Sequence, residues 1–229
     1  DYFYPQLFLA TDADQTVRGS LSDDVIAGGL GDDNYIGAAG NDVIEGDEGN
    51  DSLTGDAGAD TLNGGAGNDS LNGGADDDVL LGGRGDDSLT GGAGNDQLTG
   101  GPGSDTLQGN AGDDTFFFAL GDGADTISEI YEDRADKRNV LQFGEGIAPD
   151  TVRFWRTSNH LILSVNAFDQ VTIQSYFRDD DTHNFRNPVQ VVRFSDEAAT
   201  QWDVDYFYPQ LFLATDADQT VRGSLSDDV

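Results

Sequence analysis

Eleven aspartates recur nine residues apart: Asp24, Asp33, Asp42, Asp51, Asp60, Asp69, Asp78, Asp87, Asp96, Asp105 and Asp114. Each has a glycine five residues upstream and, in nine of the eleven cases, another two residues upstream. One carboxylate per nine residues, set in glycine-rich turns that expose backbone carbonyls, is an oxygen-only donor set. Such a set suits a hard cation. Calcium takes about six to eight oxygens at flexible geometry, whereas magnesium demands a stricter octahedron. The chain has no Cys and two His, which argues against zinc or a softer metal. The candidate ligands are these eleven aspartates and Asp125 beyond them. To these are added the turn glycines Gly31, Gly40, Gly49, Gly58, Gly67, Gly85, Gly94, Gly103 and Gly112 through their carbonyls. Capping of turns, an ordinary job of Asp, does not account for eleven of them in one slot.

Other chemistry finds little support. There is no His-Glu-x-x-His, no Gly-x-Ser-x-Gly and no phosphate loop with its Lys. His160 sits in a strand candidate and His183 in a polar loop, neither beside a motif-level nucleophile. A glycosidase-like carboxylate pair could be picked from so many acids, yet each already has a place in a turn. The expectation is a protein that is not an enzyme.

The aspartates belong to a nine-residue phrase spoken eleven times from Gly19 to Phe117 without insertion or deletion. Position one is always Gly and position six always Asp. Position four is Gly except at Ser22 and Asp76. Position eight is always large and apolar: Ile26, Tyr35, Ile44, Leu53, Leu62, Leu71, Leu80, Leu89, Leu98, Leu107 and Phe116. A period of nine fits neither an amphipathic helix nor a long alternating strand. It fits a solenoid in which a six-residue turn alternates with a very short strand, and position eight alone points inward. Two phrases then make one coil of about eighteen residues, with a strand on each of two facing parallel sheets. Positions one and four are expected to supply the positive φ and close backbone approach that the turns need.

The phrase, cleanest in Gly91-Gly92-Ala93-Gly94-Asn95-Asp96-Gln97-Leu98-Thr99, resembles the RTX (haemolysin-type) calcium-binding nonapeptide GGxGxDxUx. The resemblance covers Gly19 to Phe117 in strict register. It implies a parallel β-roll with calcium between turns two phrases apart on one edge, export by a type I secretion system, and folding once calcium is met outside the cell.

Charge supports the same reading. From Gly19 to Phe117 there are 21 acidic residues against one basic residue, Arg84. A segment so charged and so poor in apolar residues stays disordered when left alone. Eleven turns on two edges leave room for about nine between-turn ions, whose charge would nearly cancel that of the segment. Binding free energy then becomes folding free energy. Extracellular calcium modules bind at roughly 10⁻⁴ to 10⁻³ M, so an extracellular location, secreted or cell-surface attached, is expected. A net charge of −33 and a pI near 4.1 argue against nucleic acid or an anionic membrane as partner. No apolar run reaches the ~20 residues of a spanning helix. The first ten residues do not read as a secretory peptide.

Residues 1–25 recur without change as residues 205–229, displaced by 204. The simplest account is a larger tandem array of which 204 residues are one period. The alternative, ends duplicated by design, sits poorly with a copy that stops in mid-phrase at Val229. Four segments follow: a cap or junction at 1–18, the roll at 19–117, a β-rich cap at 118–204, and the start of the next period at 205–229. The first, with Tyr2, Phe3, Tyr4 and Phe8, reads as a short helix or irregular plug over the open end of the roll. Within it, Asp12-x-Asp14 is a weak further calcium candidate. Beyond Phe117 the register breaks. Asp125 follows Asp114 by eleven residues, as in a degenerate final coil. Strand candidates then run at Val140 to Phe143, Thr151 to Arg156, His160 to Val165, Gln170 to Phe177 and Val189 to Phe194. This part resembles the domain that often follows RTX repeats, through Asn139 to Ile147, Val171 to Phe177 and Val192 to Asp196.

Positions seven and nine face outward, alternating between the sheets. The face carrying Val25, Val43 and Val79 is the more apolar and is expected to pack on the cap or a neighbour. The other, with Asn34, Ser52, Ser70, Ser88 and Thr106, lacks the regularity of a lattice-binding or glycan-binding ladder. Two functions compete. One is a structural or adhesive module of a tandem rod whose partners are neighbouring copies of itself. The other is the accessory RTX module of a type I-secreted enzyme or toxin. The 204-residue recurrence favours the first.

Overall fold

The computed structural model describes residues 7–8, 12–128, 137–176, 188–196, 199–203, 206 and 221–222. Among the described residues two sheets of ten and eleven strands face each other, and as far as Val140–Phe143 consecutive strands alternate between them. Within the roll, as far as Gln97–Thr99, each strand pairs in parallel with the strand eighteen residues on, as in Ser70↔Ser88 and Ser88↔Thr106. The fold is an all-β parallel roll, as the nine-residue period requires.

The strands are longer and the turns shorter than a six-residue reversal predicts. Val25–Leu30, Asn34–Ala39 and Ser70–Ala75 each run from position seven through position three of the next phrase. The pairing skips position one: Ile26↔Ile44 and Ala27↔Glu45 are followed by Gly29↔Asp47. The strand bends there, and only positions four to six turn. Positive φ falls at positions two and four, for example Asp56 (75°), Gly92 (123°), Gly58 (123°) and Asp76 (78°). Position one is glycine for a different reason. A Cβ on Gly64 would collide with Asp69 Oδ2 and with the carbonyl of Gly82 in the next coil. The left-handed residues at position two thus do the turning expected of position one.

The interior holds more than the position-eight column. Those side chains are at most 2% exposed from Ile26 to Phe116. The position-six aspartates are buried beside them, at no more than 3% exposure. Each coil therefore wraps a line of hydrocarbon flanked by carboxylates, with the position-one glycines making the room.

The sheets run past both ends of the Gly19 to Phe117 array. Where a helix or plug is expected, Leu7–Phe8 and Thr16–Arg18 are strands paired with Val25–Ile26 and Asn34–Ile36 at the same displacement of eighteen. Phe8 and Val17 occupy position eight of two earlier phrases that lack the Gly and Asp signature. Downstream, Ala124–Ile127 and Val140–Phe143 add parallel strands, and Gln170–Ile173 and Val191–Arg193 add another pair. The coil of Asp125 is thus followed by further parallel strands. The antiparallel strands Arg153–Thr157, His160–Ser164 and Gln201–Asp203 follow, so the cap stacks on the end of the roll. It does not cover the apolar face: Val25 is 47% and Val43 38% exposed, while Val79 is half-buried. The expectation that this face packs on the cap is corrected by that stacking.

Candidate metal centres

The position-six aspartates form two columns, one on each edge of the roll. From Asp42 to Asp114 each carboxylate Oδ1 accepts a hydrogen bond from the backbone N–H of the aspartate eighteen residues earlier. On one edge Asp24 donates to Asp42, Asp42 to Asp60, Asp60 to Asp78, Asp78 to Asp96 and Asp96 to Asp114, at 2.7 to 3.1 Å. On the other, Gln15 donates to Asp33, then the series passes through Asp51, Asp69, Asp87 and Asp105 to Asp125.

That bond uses one oxygen. The second, Oδ2, is buried without a hydrogen-bond partner in Asp42, Asp51, Asp60, Asp69, Asp78, Asp87, Asp96, Asp105 and Asp125. A buried carboxylate with an unpartnered oxygen is costly, and the group answers by holding its proton. Burial pushes Asp51, Asp60 and Asp69 up to about 6, Asp78, Asp96 and Asp105 up to about 7, and Asp125 up to about 8. The ladder bond opposes the rise and neighbouring carboxylates add to it. Asp42 and Asp87 are raised for the same chief reason.

At the column ends the chain supplies its own donors. Asp33 Oδ2 accepts from the Tyr35 hydroxyl at 2.9 Å, which burial and that carboxylate push far above the ordinary phenol value. Asp24 Oδ2 accepts from the backbone N–H of Ser20. Asp114 donates to Asn139, which occupies slot six of the following coil with a neutral amide that in turn donates to the carbonyl of Pro188. Two residues earlier, the buried Lys137 ammonium donates to the carbonyl of Asn110 at 2.6 Å.

Beside the carboxylates run files of position-four carbonyls. A Cβ on Gly49, Gly58, Gly67, Gly85, Gly103 or Gly112 would collide with the carbonyl oxygen of the position-four glycine one coil earlier, Gly31, Gly40, Gly49, Gly67, Gly85 and Gly94 respectively. The structure so brings the predicted aspartates and the predicted glycines to the same two edges. Among the described residues no three acidic or histidine side chains converge on one point. A cation would therefore take one carboxylate oxygen from a turn and complete its shell from the backbone. The orphaned Oδ2 atoms and the oxygen-only surroundings fit a hard divalent ion. When bound, such an ion supplies the positive charge that Oδ2 lacks. The chain's part is to hold that oxygen in place with the Oδ1 bond and to keep water from it.

A second ladder escaped the sequence reading. At slot five, side-chain oxygens accept from the backbone N–H eighteen residues later, opposite in sense to slot six: Asn50 to Asp32, Asn68 to Asn50 and Asp86 to Asn68, at 2.8 to 2.9 Å. Asp14 joins it by accepting from Asp32, which gives that member of the Asp12-x-Asp14 pair a structural job. The signal was present, since slot five is Asp or Asn in all phrases but those with Ala59 and Ser104. His160 Nδ1 accepts from the Ser175 backbone at 3.1 Å, a structural tie between its strand and the turn that follows Gln170–Ile173. His183 lies outside the described residues.

The family model for the RTX calcium-binding nonapeptide repeat (4 copies) matches residues 9–44, 36–71, 54–89, 72–107 and 90–127, together more than half of the chain. Over 72 residues the chain is 42% identical to the iron-regulated protein FrpA of Neisseria meningitidis serogroup C. That match covers 31% of this chain and 6% of the relative's length.

Two outcomes follow from the columns. The raised carboxylates hold protons in the folded state that the unfolded chain releases above about pH 4, so without metal the roll loses stability as pH rises through about 6 to 8. In chelator, far-UV circular dichroism should gain strand signal as pH is lowered from about 8 to about 5. Asp78→Asn, which keeps the ladder oxygen as Asn139 does, should lower bound calcium by about one or two ions per chain, read by calorimetric titration.

Proposed function

The chain belongs to the RTX calcium-binding nonapeptide repeat family, and from that premise we propose that it is one period of a tandem, calcium-stiffened rod. One observation carries the reading: from Asp42 to Asp105 the buried, unpartnered Oδ2 atoms stand in two columns, one on each edge of the roll. The position-six aspartates and position-four carbonyls are the ligands, with about nine ions in the main array. Asp125 is a further ligand at the cap.

Its role is structural or adhesive, it performs no catalysis, and its partners are neighbouring copies joined end to end. The 204-residue recurrence of residues 1–25 supports this. The accessory-module reading would instead place a catalytic domain beside the roll. The location is extracellular, secreted or attached to a cell surface, where millimolar calcium is available. No helix among the described residues is long and apolar enough to cross a membrane.

Small-angle X-ray scattering tests the folding half of the proposal. In chelator at neutral pH the radius of gyration should approach about 50 Å, and millimolar calcium should bring it toward about 20 Å, with magnesium much less effective. A value indifferent to calcium would contradict the reading.

A further inference from the structure

The recurring segment is recorded twice, and its two copies have different partners. In the first copy, Thr16–Arg18 pairs in parallel with Asn34–Ile36 of the roll that follows it. In the second, the backbone of Val221–Arg222, the same residues 204 positions on, pairs antiparallel with Arg153–Phe154 of the cap that precedes it. One stretch of sequence thus has strand partners on both sides of a period boundary.

The second copy also places an aromatic ring in the cap. Tyr206 lies flat on Trp202, with ring centroids 4.8 Å apart and planes 6° apart, and Phe154 stands 6.0 Å away. Trp202 is 1% exposed and meets Phe194 at 4.6 Å, which meets Phe143 at 5.3 Å, which meets Phe118 at 5.9 Å. This relay of rings joins the interior of the roll to the second residue of the recurring segment. Tyr206 is partly buried against the same core, and its backbone N–H donates to Asp203.

We infer that the boundary between periods is a docked aromatic joint, in which the tyrosine at the second position of each period stacks on Trp202 and packs at a tilt against Phe154 of the copy before it. By sequence Tyr206 is the second residue of a further period, so the occupant that this joint takes is the start of the next copy of this chain. The acceptor is held by the cap itself, since Trp202 also meets Phe194 and pairs with Val192. Flat stacking restricts rotation as well as separation, so successive rolls keep a set orientation instead of swinging on a free linker. The inference rests on the tandem reading for its partner.

Limited proteolysis of the 229-residue chain in calcium, with a protease that cuts beside aromatic residues, tests the joint. Cleavage within residues 205–213 should be slow in the parent chain and about tenfold faster in Tyr206→Ala, with Tyr206→Phe close to the parent. The calcium-induced strand signal should be equal in all three, which separates loss of docking from loss of the roll. Equal cleavage rates in the parent and Tyr206→Ala would overturn the joint while leaving the tandem reading intact. A full reading frame holding a single period would remove the partner even where Tyr206 is docked.

Discussion

From Asp42 to Asp105 each position-six aspartate is half satisfied, and the rest of the molecule is arranged around that fact. Its Oδ1 ties one coil to the last, and its Oδ2 is left in the interior. Strands one coil apart lie about 4.8 Å from each other. Two unit charges at that spacing repel by about 3 kcal/mol at an effective dielectric of about 20. A hydrogen bond to a charged group returns about 1.5–3 kcal/mol. A column of ionised carboxylates with neighbours above and below therefore does not hold itself together. Protons or divalent cations must intervene, and above about pH 8 only the second remedy is left.

The ends of the columns show how the chain meets these slots with donors of its own. Tyr35 and Ser20 satisfy the first aspartates, and Asn139 with Lys137 closes one edge with a neutral amide and the chain's own cation. The other edge closes on Asp125, still a carboxylate and the most strongly raised of the series. Beyond the columns, stability passes to hydrocarbon. Phe118, Phe143, Phe154, Phe194 and Trp202 form a core that owes nothing to cations. The cap can thus present a rigid end to whatever follows.

Much of this was legible in the residues. An invariant Asp and an invariant apolar position at a period of nine admit only a stacked coil, and the two columns of Leu and Asp follow. What stayed hidden is instructive. Phe8 and Val17 keep the frame, but Gln6 and Gln15 replace the aspartates, so two further strands showed no phrase by which to be found. Asn139 holds slot six after a displacement of 25 residues, which no fixed period reveals. Position two carries the left-handed backbone in Asp47, Asp56 and Asn110 as well as in glycine, so its composition masked a requirement that its φ makes plain. The direction of a hydrogen bond at slot five cannot be read from Asp or Asn alone, because both accept.

The account is tested most directly by crystals grown in calcium and measured at a wavelength where the anomalous signal of the ion is strong. Peaks should lie along both edges of the roll, each within about 2.3–2.6 Å of an aspartate oxygen from the Asp42 to Asp105 series and of backbone carbonyls. Ordered carboxylates with Oδ2 turned to bulk water and no anomalous peak between the coils would contradict it.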